Sequence, residues 1–185
     1  FAERAGSDAS LAPVLFGSHI DSVPNGGNFD GDLGTMAALQ VLRVLEEGRI
    51  RTRRGLTAVV WACEEATFAG LSLNGSRAAA GQLRPGEMGH VSGGVVKAEA
   101  VRRIGGEPAR IGDAVIRRGA YHAYVELHIE QGGTLAREGV PVGVVDGIVA
   151  VDRFDAVVTG FANHAGTTPM EERQDALLAA AELAL

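Results

Sequence analysis

Short apolar runs alternating with polar, glycine-bearing segments set the rhythm of this chain. Residues 13–16 are an apolar run leading into Gly17-Ser18-His19-Ile20-Asp21, the pattern of a buried strand whose end carries polar groups. A Gly- and Asn-rich loop occupies 24–34. From 35 to 47 apolar residues recur at helical spacing (Met36, Leu39, Leu42, Val44, Leu45), and Gly48 is a fitting stop. Residues 56–63, β-branched and aromatic, predict a second buried strand, and 73–80 and 96–104 predict helices. Residues 121–129 read as a strand with Tyr124, Glu126 and His128 on one face and Ala123, Val125, Leu127 and Ile129 on the other. Further strands are expected at 142–151 and 154–161, and a helix at 175–185.

Strands separated by helices predict an α/β fold with a mostly parallel sheet flanked by helices. The strand–strand–helix run after about residue 150 breaks that rhythm and reads as the start of a smaller α+β unit. Composition narrows the function classes. With 46 % hydrophobic and 22 % charged residues in 185, the chain is of ordinary globular character. Its longest apolar runs, 56–63 and 176–181, are too short to cross a bilayer. The single cysteine, Cys63, excludes a disulfide framework and a cysteine-built zinc finger. A net charge of −6 argues against a nucleic-acid partner. The chain opens at Phe1 without an initiator Met and stops inside an Ala-rich helical pattern, so it reads as a piece of a longer polypeptide.

In an open α/β sheet, ligands bind beyond the carboxyl ends of the strands. Three expected strand ends carry imidazole or acidic groups: His19 with Asp21, Glu64 with Glu65, and His128, with Asp30 in the loop after the first. His19 and Asp21, two apart, share a face of an extended backbone, and a ligating His commonly donates its second ring N–H to a carboxylate or carbonyl. A satisfied histidine beside an Asx-type turn is the competing reading. Asp30 sits among glycines that let the backbone fold back sharply, or that simply make a surface turn; Asp32 is read as loop structure. Glu64 and Glu65 face opposite ways on an extended chain, so one can reach a metal and the other a substrate; an exposed acidic turn is the alternative. His128 and His164 can each be structural, and His90 and His122 have no chemical context. Together the donors match the oxygen and nitrogen ligand set of a dinuclear zinc-type hydrolase. There is no G-x-G-x-x-G, no Gly-Lys-Ser/Thr phosphate loop and no G-x-S-x-G elbow.

Residues 17–31, Gly-Ser-His-Ile-Asp-Ser-Val-Pro-Asn-Gly-Gly-Asn-Phe-Asp-Gly, closely resemble the hydantoinase/carbamoylase family of amidases. That group includes N-carbamoyl-L-amino acid hydrolases, allantoate amidohydrolases and β-ureidopropionases, within the aminoacylase and carboxypeptidase-like dinuclear metallopeptidase superfamily. Glu126-Leu127-His128-Ile129-Glu130-Gln131-Gly132 and Ala162-Asn163-His164-Ala165-Gly166-Thr167-Thr168-Pro169-Met170 are similarly specific and follow in the family's order. The resemblance implies two divalent metal ions, Zn²⁺ or Mn²⁺ with Co²⁺ or Ni²⁺ also compatible. His19, Asp30 and His128 would hold one, and Asp30 would bridge to a second held by Glu65. It implies Glu64 as general base and then general acid, Asp21 orienting His19, and Gln131 and His164 contacting the substrate, His164 steadying the oxyanion.

On that resemblance, 1–150 is an incomplete catalytic metal-binding domain and 151–185 the beginning of a lid and dimerisation domain. The expected substrate is a small ureido or amide compound, such as an N-carbamoyl-L-amino acid or an allantoate-like molecule. The expected assembly is a homodimer through the smaller domain, and the expected location is cytoplasmic, with no nucleic-acid or membrane partner. Two departures stand out. Ala66-Thr67-Phe68-Ala69 replaces the family's Gly-x-Arg-Phe, putting Phe68 where the family has Arg. The family's later His ligand and its carboxylate-gripping Asn and Arg have no counterpart after His164. The alternatives are a non-catalytic metal-binding or dimerising module, if the chain is naturally this short, or an aminoacylase or peptidase of the same superfamily.

Overall fold

The computed structural model describes residues 1–67, 71–150, 152 and 154–184, which fall into two compact units, Phe1–Pro141 and Val142–Leu185. The first unit is built on a four-stranded sheet of β1 (Ala2–Arg4), β2 (Val14–His19), β3 (Leu56–Trp61) and β6 (Ala123–Val125) in the order β1-β3-β2-β6. β1 runs antiparallel to β3, whereas β3, β2 and β6 are mutually parallel, so the sheet is mixed but mostly parallel as the alternation of strands and helices predicts. The β2–β3 ladder is continuous from Val14↔Leu56 to His19↔Trp61. The β2–β6 ladder covers only Val14↔Ala123 to Phe16↔Val125.

Helix α1 (Asp32–Glu47) joins β2 to β3 and packs on both of them. It starts three residues before the predicted 35–47 segment, making Asp32 its first residue rather than part of the loop. Its buried positions are Gly34, Thr35 and Ala38, small residues that let the helix lie close to the sheet, where Leu15, Ala58 and Val59 form the core. Val59 is 1 % exposed. After β3 come α2 (Asn74–Ala79), a short hairpin of β4 (Val91–Ser92) and β5 (Val95–Val96), α3 (Lys97–Arg103) and, beyond β6, α4 (Thr134–Glu138). The sequence pattern shows neither β1 nor the hairpin nor α4, each too short to set up a period.

A buried ion-pair cluster ties this middle region together. Glu87, in the turn after α2, receives Arg77 of α2 at 2.6 Å and 3.1 Å and the Lys97 ammonium of α3, and also the Arg84 main-chain N–H at 3.0 Å. Burial alone would push the Glu87 carboxyl up, but these partners together hold it down at about 2.

The strand expected over 121–129 is confined to Ala123–Val125. Past Val125 the Leu127 carbonyl is turned against Gly34 of α1, so close that a Cβ on Gly34 would lie 2.2 Å from it. The Leu127 oxygen thus faces the helix. In the second unit the strands expected at 142–151 and 154–161 are not formed among the described residues; Val151, Arg153 and Leu185 lie outside them. Alternating β-branched residues specify a strand only where a neighbour completes the ladder. Among the described residues of this unit no ladder forms: Val144 is 96 % and Ile148 92 % exposed. Phe161 pairs with Gln174 in a single bridge. Helix α5 (Ala176–Ala184) then follows where the pattern predicts it, with Asp175 Oδ1 accepting from Leu177 N at 2.9 Å. No helix among the described residues is long and apolar enough to cross a membrane.

Candidate metal centre

Because β2, β3 and β6 are parallel, their carboxyl ends lie along one edge, and His19, Asp30, Glu64 and His128 come together there. β2 ends on His19, which is buried. Its main-chain carbonyl accepts from Thr35 Oγ1 of α1 at 2.9 Å, fixing the residue between strand and helix. The loop that follows brings back Asp30, and Gly31 makes this possible. With φ at +74° it turns the chain in a left-handed conformation, and a Cβ there would sit 2.5 Å from the His19 ring. His128 arrives three residues after β6.

One donor atom from each of His19, Asp30 and His128 falls within a common 4.8 Å. Asp30 Oδ1 lies 3.1 Å from His128 Nε2 and 3.8 Å from His19 Nε2. Donors sharing one cation through bonds of about 2.0–2.2 Å stand about 3.3 Å apart in a tetrahedral site, which these spacings bracket. The other ring nitrogens are committed. His19 Nδ1 lies 2.8 Å from the Asp21 carbonyl, and His128 Nδ1 lies 2.9 Å from the Ile129 carbonyl. A carbonyl only accepts, so each neutral ring carries its proton on Nδ1 and turns a bare Nε2 lone pair toward the same carboxylate oxygen. Three electron-rich atoms facing one another repel unless a positive charge lies between them. The residues present fit a divalent cation.

Glu64 stands next to this group, its Oε2 3.9 Å from His19 Nε2. Burial pushes its carboxyl above the usual carboxylate range; the His19 ring pulls it back, while the charges of Glu65, Asp21 and Glu126 push it further up. The Asp21 carboxylate is placed differently from the simple His19 partner that its spacing suggests. It accepts from the main-chain N–H of Glu64 at 3.2 Å and of Glu65 at 3.0 Å, while its oxygen is 3.8 Å from His19 Nδ1. Asp21 therefore holds His19 through its carbonyl and the Glu64–Glu65 turn through its side chain. Glu65 contributes its N–H to this clamp, but its carboxylate is not among the donors gathered with Asp30. Gln131 donates to Asp30 Oδ2 at 2.7 Å.

His164 belongs to the second unit, where it lines a cavity of about 440 Å³ with Phe161, Asn163, Arg173 and Gln174. Gly166 N–H donates to its Nδ1 at 3.1 Å, so the neutral ring carries its proton on Nε2. Phe68 lies outside the described residues. From the sequence alone Glu126 shares the His128 face but has no role, and nothing marks out Ser18 or Trp61. In the structure Glu126 accepts from Ser18 Oγ at 2.5 Å and from Tyr124 at 2.7 Å, and Trp61 Nε1 donates to the Tyr124 hydroxyl at 2.9 Å. Burial and the bond to Glu126 push the Tyr124 hydroxyl well above its ordinary value, so it remains a donor.

A family model described as peptidase family M20/M25/M40 matches residues 15–185, nearly all of the chain. This chain belongs to that family. Among M20 relatives, an N-carbamoyl-L-amino acid amidohydrolase of Geobacillus stearothermophilus is 40 % identical over 181 residues, which is 97 % of this chain and 44 % of the relative. A ureidoglycolate hydrolase of Arabidopsis thaliana is 38 % identical over 192 residues, 100 % of this chain and 40 % of the relative. The crystal structure of a hydantoinase/carbamoylase family amidase from Burkholderia ambifaria superposes with a TM-score of 0.75 at 36 % identity, covering 99 % of this chain and 44 % of that one. The M20 chain described here thus spans less than half the length of these relatives.

Proposed function

We propose that this chain is part of a metal-dependent amidohydrolase that cleaves a linear C–N bond in a ureido or amide compound, an N-carbamoyl-L-amino acid or an allantoate-like molecule in the first instance. One observation carries the reading: two histidines with their protons committed to main-chain carbonyls present bare Nε2 atoms to one oxygen of Asp30. His19, Asp30 and His128 would hold one divalent ion, and Asp30 with Glu65 would supply part of the shell of a second; Zn²⁺, Mn²⁺, Co²⁺ and Ni²⁺ all suit such donors. When bound, the ions supply Lewis acidity to a water and to the scissile carbonyl.

Glu64 does the proton transfer. Placed 3.9 Å from His19, it would accept a proton from the attacking water and deliver it to the leaving nitrogen, so that the carbonyl carbon gains an oxygen and loses its bond to nitrogen. Asp21 keeps that carboxylate in place by gripping the two amides of the turn. Gln131 steadies Asp30 and borders the substrate position. His164, with its proton on Nε2, is suited to donate to an oxyanion. The names of the M20 relatives support ureido compounds as the substrate class, and we extend the proposal to a homodimer formed through the smaller unit and a cytoplasmic location.

The test is a substrate panel with the complete enzyme and its E64Q variant. N-carbamoyl-L-amino acids and allantoate are hydrolysed by the wild type; E64Q loses about 10²- to 10⁴-fold in turnover while retaining its metal by elemental analysis. Hydrolysis of acyl-amino acids or dipeptides with ureido compounds inert would instead favour an aminoacylase or peptidase. Undiminished turnover in E64Q would remove Glu64 from the mechanism.

A further inference from the structure

The ladder between β2 and β6 stops at Phe16↔Val125, three residues short of His19 on one strand and His128 on the other. The two rings are nevertheless brought to a centroid separation of 6.0 Å. His19 is secured on its own side by α1, through Thr35. The continuation of β6 is tied at Asp30 by Gln131, beyond His128, and before His128 by a link made of side chains. Ser18, fully buried beside His19, donates to Glu126 Oε1 at 2.5 Å, and Glu126 is two residues before His128. The other carboxylate oxygen accepts from Tyr124 at 2.7 Å, and Tyr124 is itself held by Trp61 of β3 at 2.9 Å. Glu126 is thus gripped from β2 and β6, and linked to β3 through Tyr124. Both of its oxygens are engaged, and it is not one of the donors grouped around Asp30.

We infer that Glu126 is a positioning residue of the metal centre, whose carboxylate, held by Ser18 and Tyr124, takes over where the ladder ends and sets the spacing between His19 and His128. This rests on the metal reading proposed above. It assigns to Glu126 no contact with metal or substrate. Because the tie depends on hydrogen-bonding shape rather than charge, glutamine serves in its place: the amide oxygen accepts from Ser18 and the amide nitrogen donates to the Tyr124 oxygen.

Co²⁺ binding to the complete protein and to its E126Q, E126L and S18A variants tests the inference, read by visible absorption and elemental analysis, with thermal unfolding as the check on folding. E126L and S18A are expected to bind the first equivalent about 10- to 100-fold more weakly, the usual cost of losing an outer-shell partner, and to show an altered d–d spectrum. E126Q is expected to bind like the wild type. A folded E126L with wild-type affinity and spectrum overturns the inference. If E126L does not fold, S18A decides, since it removes a single hydroxyl; unchanged binding there also overturns it. A wild type that takes up no Co²⁺ defeats the metal reading and this inference together, whereas a binding wild type matched by its variants defeats only the inference.

Discussion

At Gly31 the candidate metal centre depends on the absence of a single methyl group. The residue is in the left-handed region, and a side chain there would enter the His19 ring. G31A therefore combines backbone strain of about 1–3 kcal/mol with displacement of either Asp30 or His19. The expected outcome is a folded protein whose first-metal affinity falls by about tenfold or more, measured by isothermal titration. The same economy governs the histidines. Each has one nitrogen occupied by a carbonyl, and that leaves the other with a single task. Asp21 is the busiest residue of the site, joining His19 by its backbone and the Glu64–Glu65 turn by its carboxylate.

Between elements, the Glu87 cluster joins α2, the turn after it and α3. E87Q leaves Arg77 and Lys97 facing each other without a counter-charge, and removing one partner of a buried ionic group costs about 3–5 kcal/mol. The pH dependence has a definite sign. The carboxyl is held at about 2 against an ordinary 4.5, so its contribution to stability is complete above the ordinary value and is lost as the pH falls toward 2. Urea unfolding at about pH 6 and about pH 3 should show wild type losing stability that E87Q no longer has to lose. The element scale is also where sequence patterning succeeds and fails. The buried strands around Leu15 and Val59 were legible as short apolar runs and α1 from its helical spacing, although Met36, Leu39 and Val44, which carry that spacing, are exposed and the helix buries Gly34, Thr35 and Ala38 instead. His19 and His128 were legible because each follows a strand predicted to end on the same edge, and Asp30 because it lies in the glycine-rich loop of the motif that His19 opens. The Ser18–Glu126 bond was not, since it joins residues 108 apart and leaves no local period. Nor was the early end of β6, beyond which the Leu127 carbonyl turns against Gly34.

For the molecule as a whole, an ion held at the proposed centre would add stability to the folded state. A ligand present at about 100 times its dissociation constant, and bound only by the folded state, stabilises by about 2.7 kcal/mol. Chelation should lower the thermal midpoint of the wild type, with recovery on adding Zn²⁺ or Mn²⁺. H128A should show neither response while keeping a midpoint close to that of chelated wild type. The valine- and isoleucine-rich residues 142–150, unpaired among the described residues, bear on a different property, colloidal behaviour. An extended apolar run with free main-chain groups is a template for pairing with another copy of itself, and a charge placed within the run is what discourages such stacking. Asp146 occupies that place, between Val145 and Gly147. D146N should therefore speed fibril formation in a thioflavin assay with no change in fold or metal affinity, which would make Asp146 a guard against aggregation.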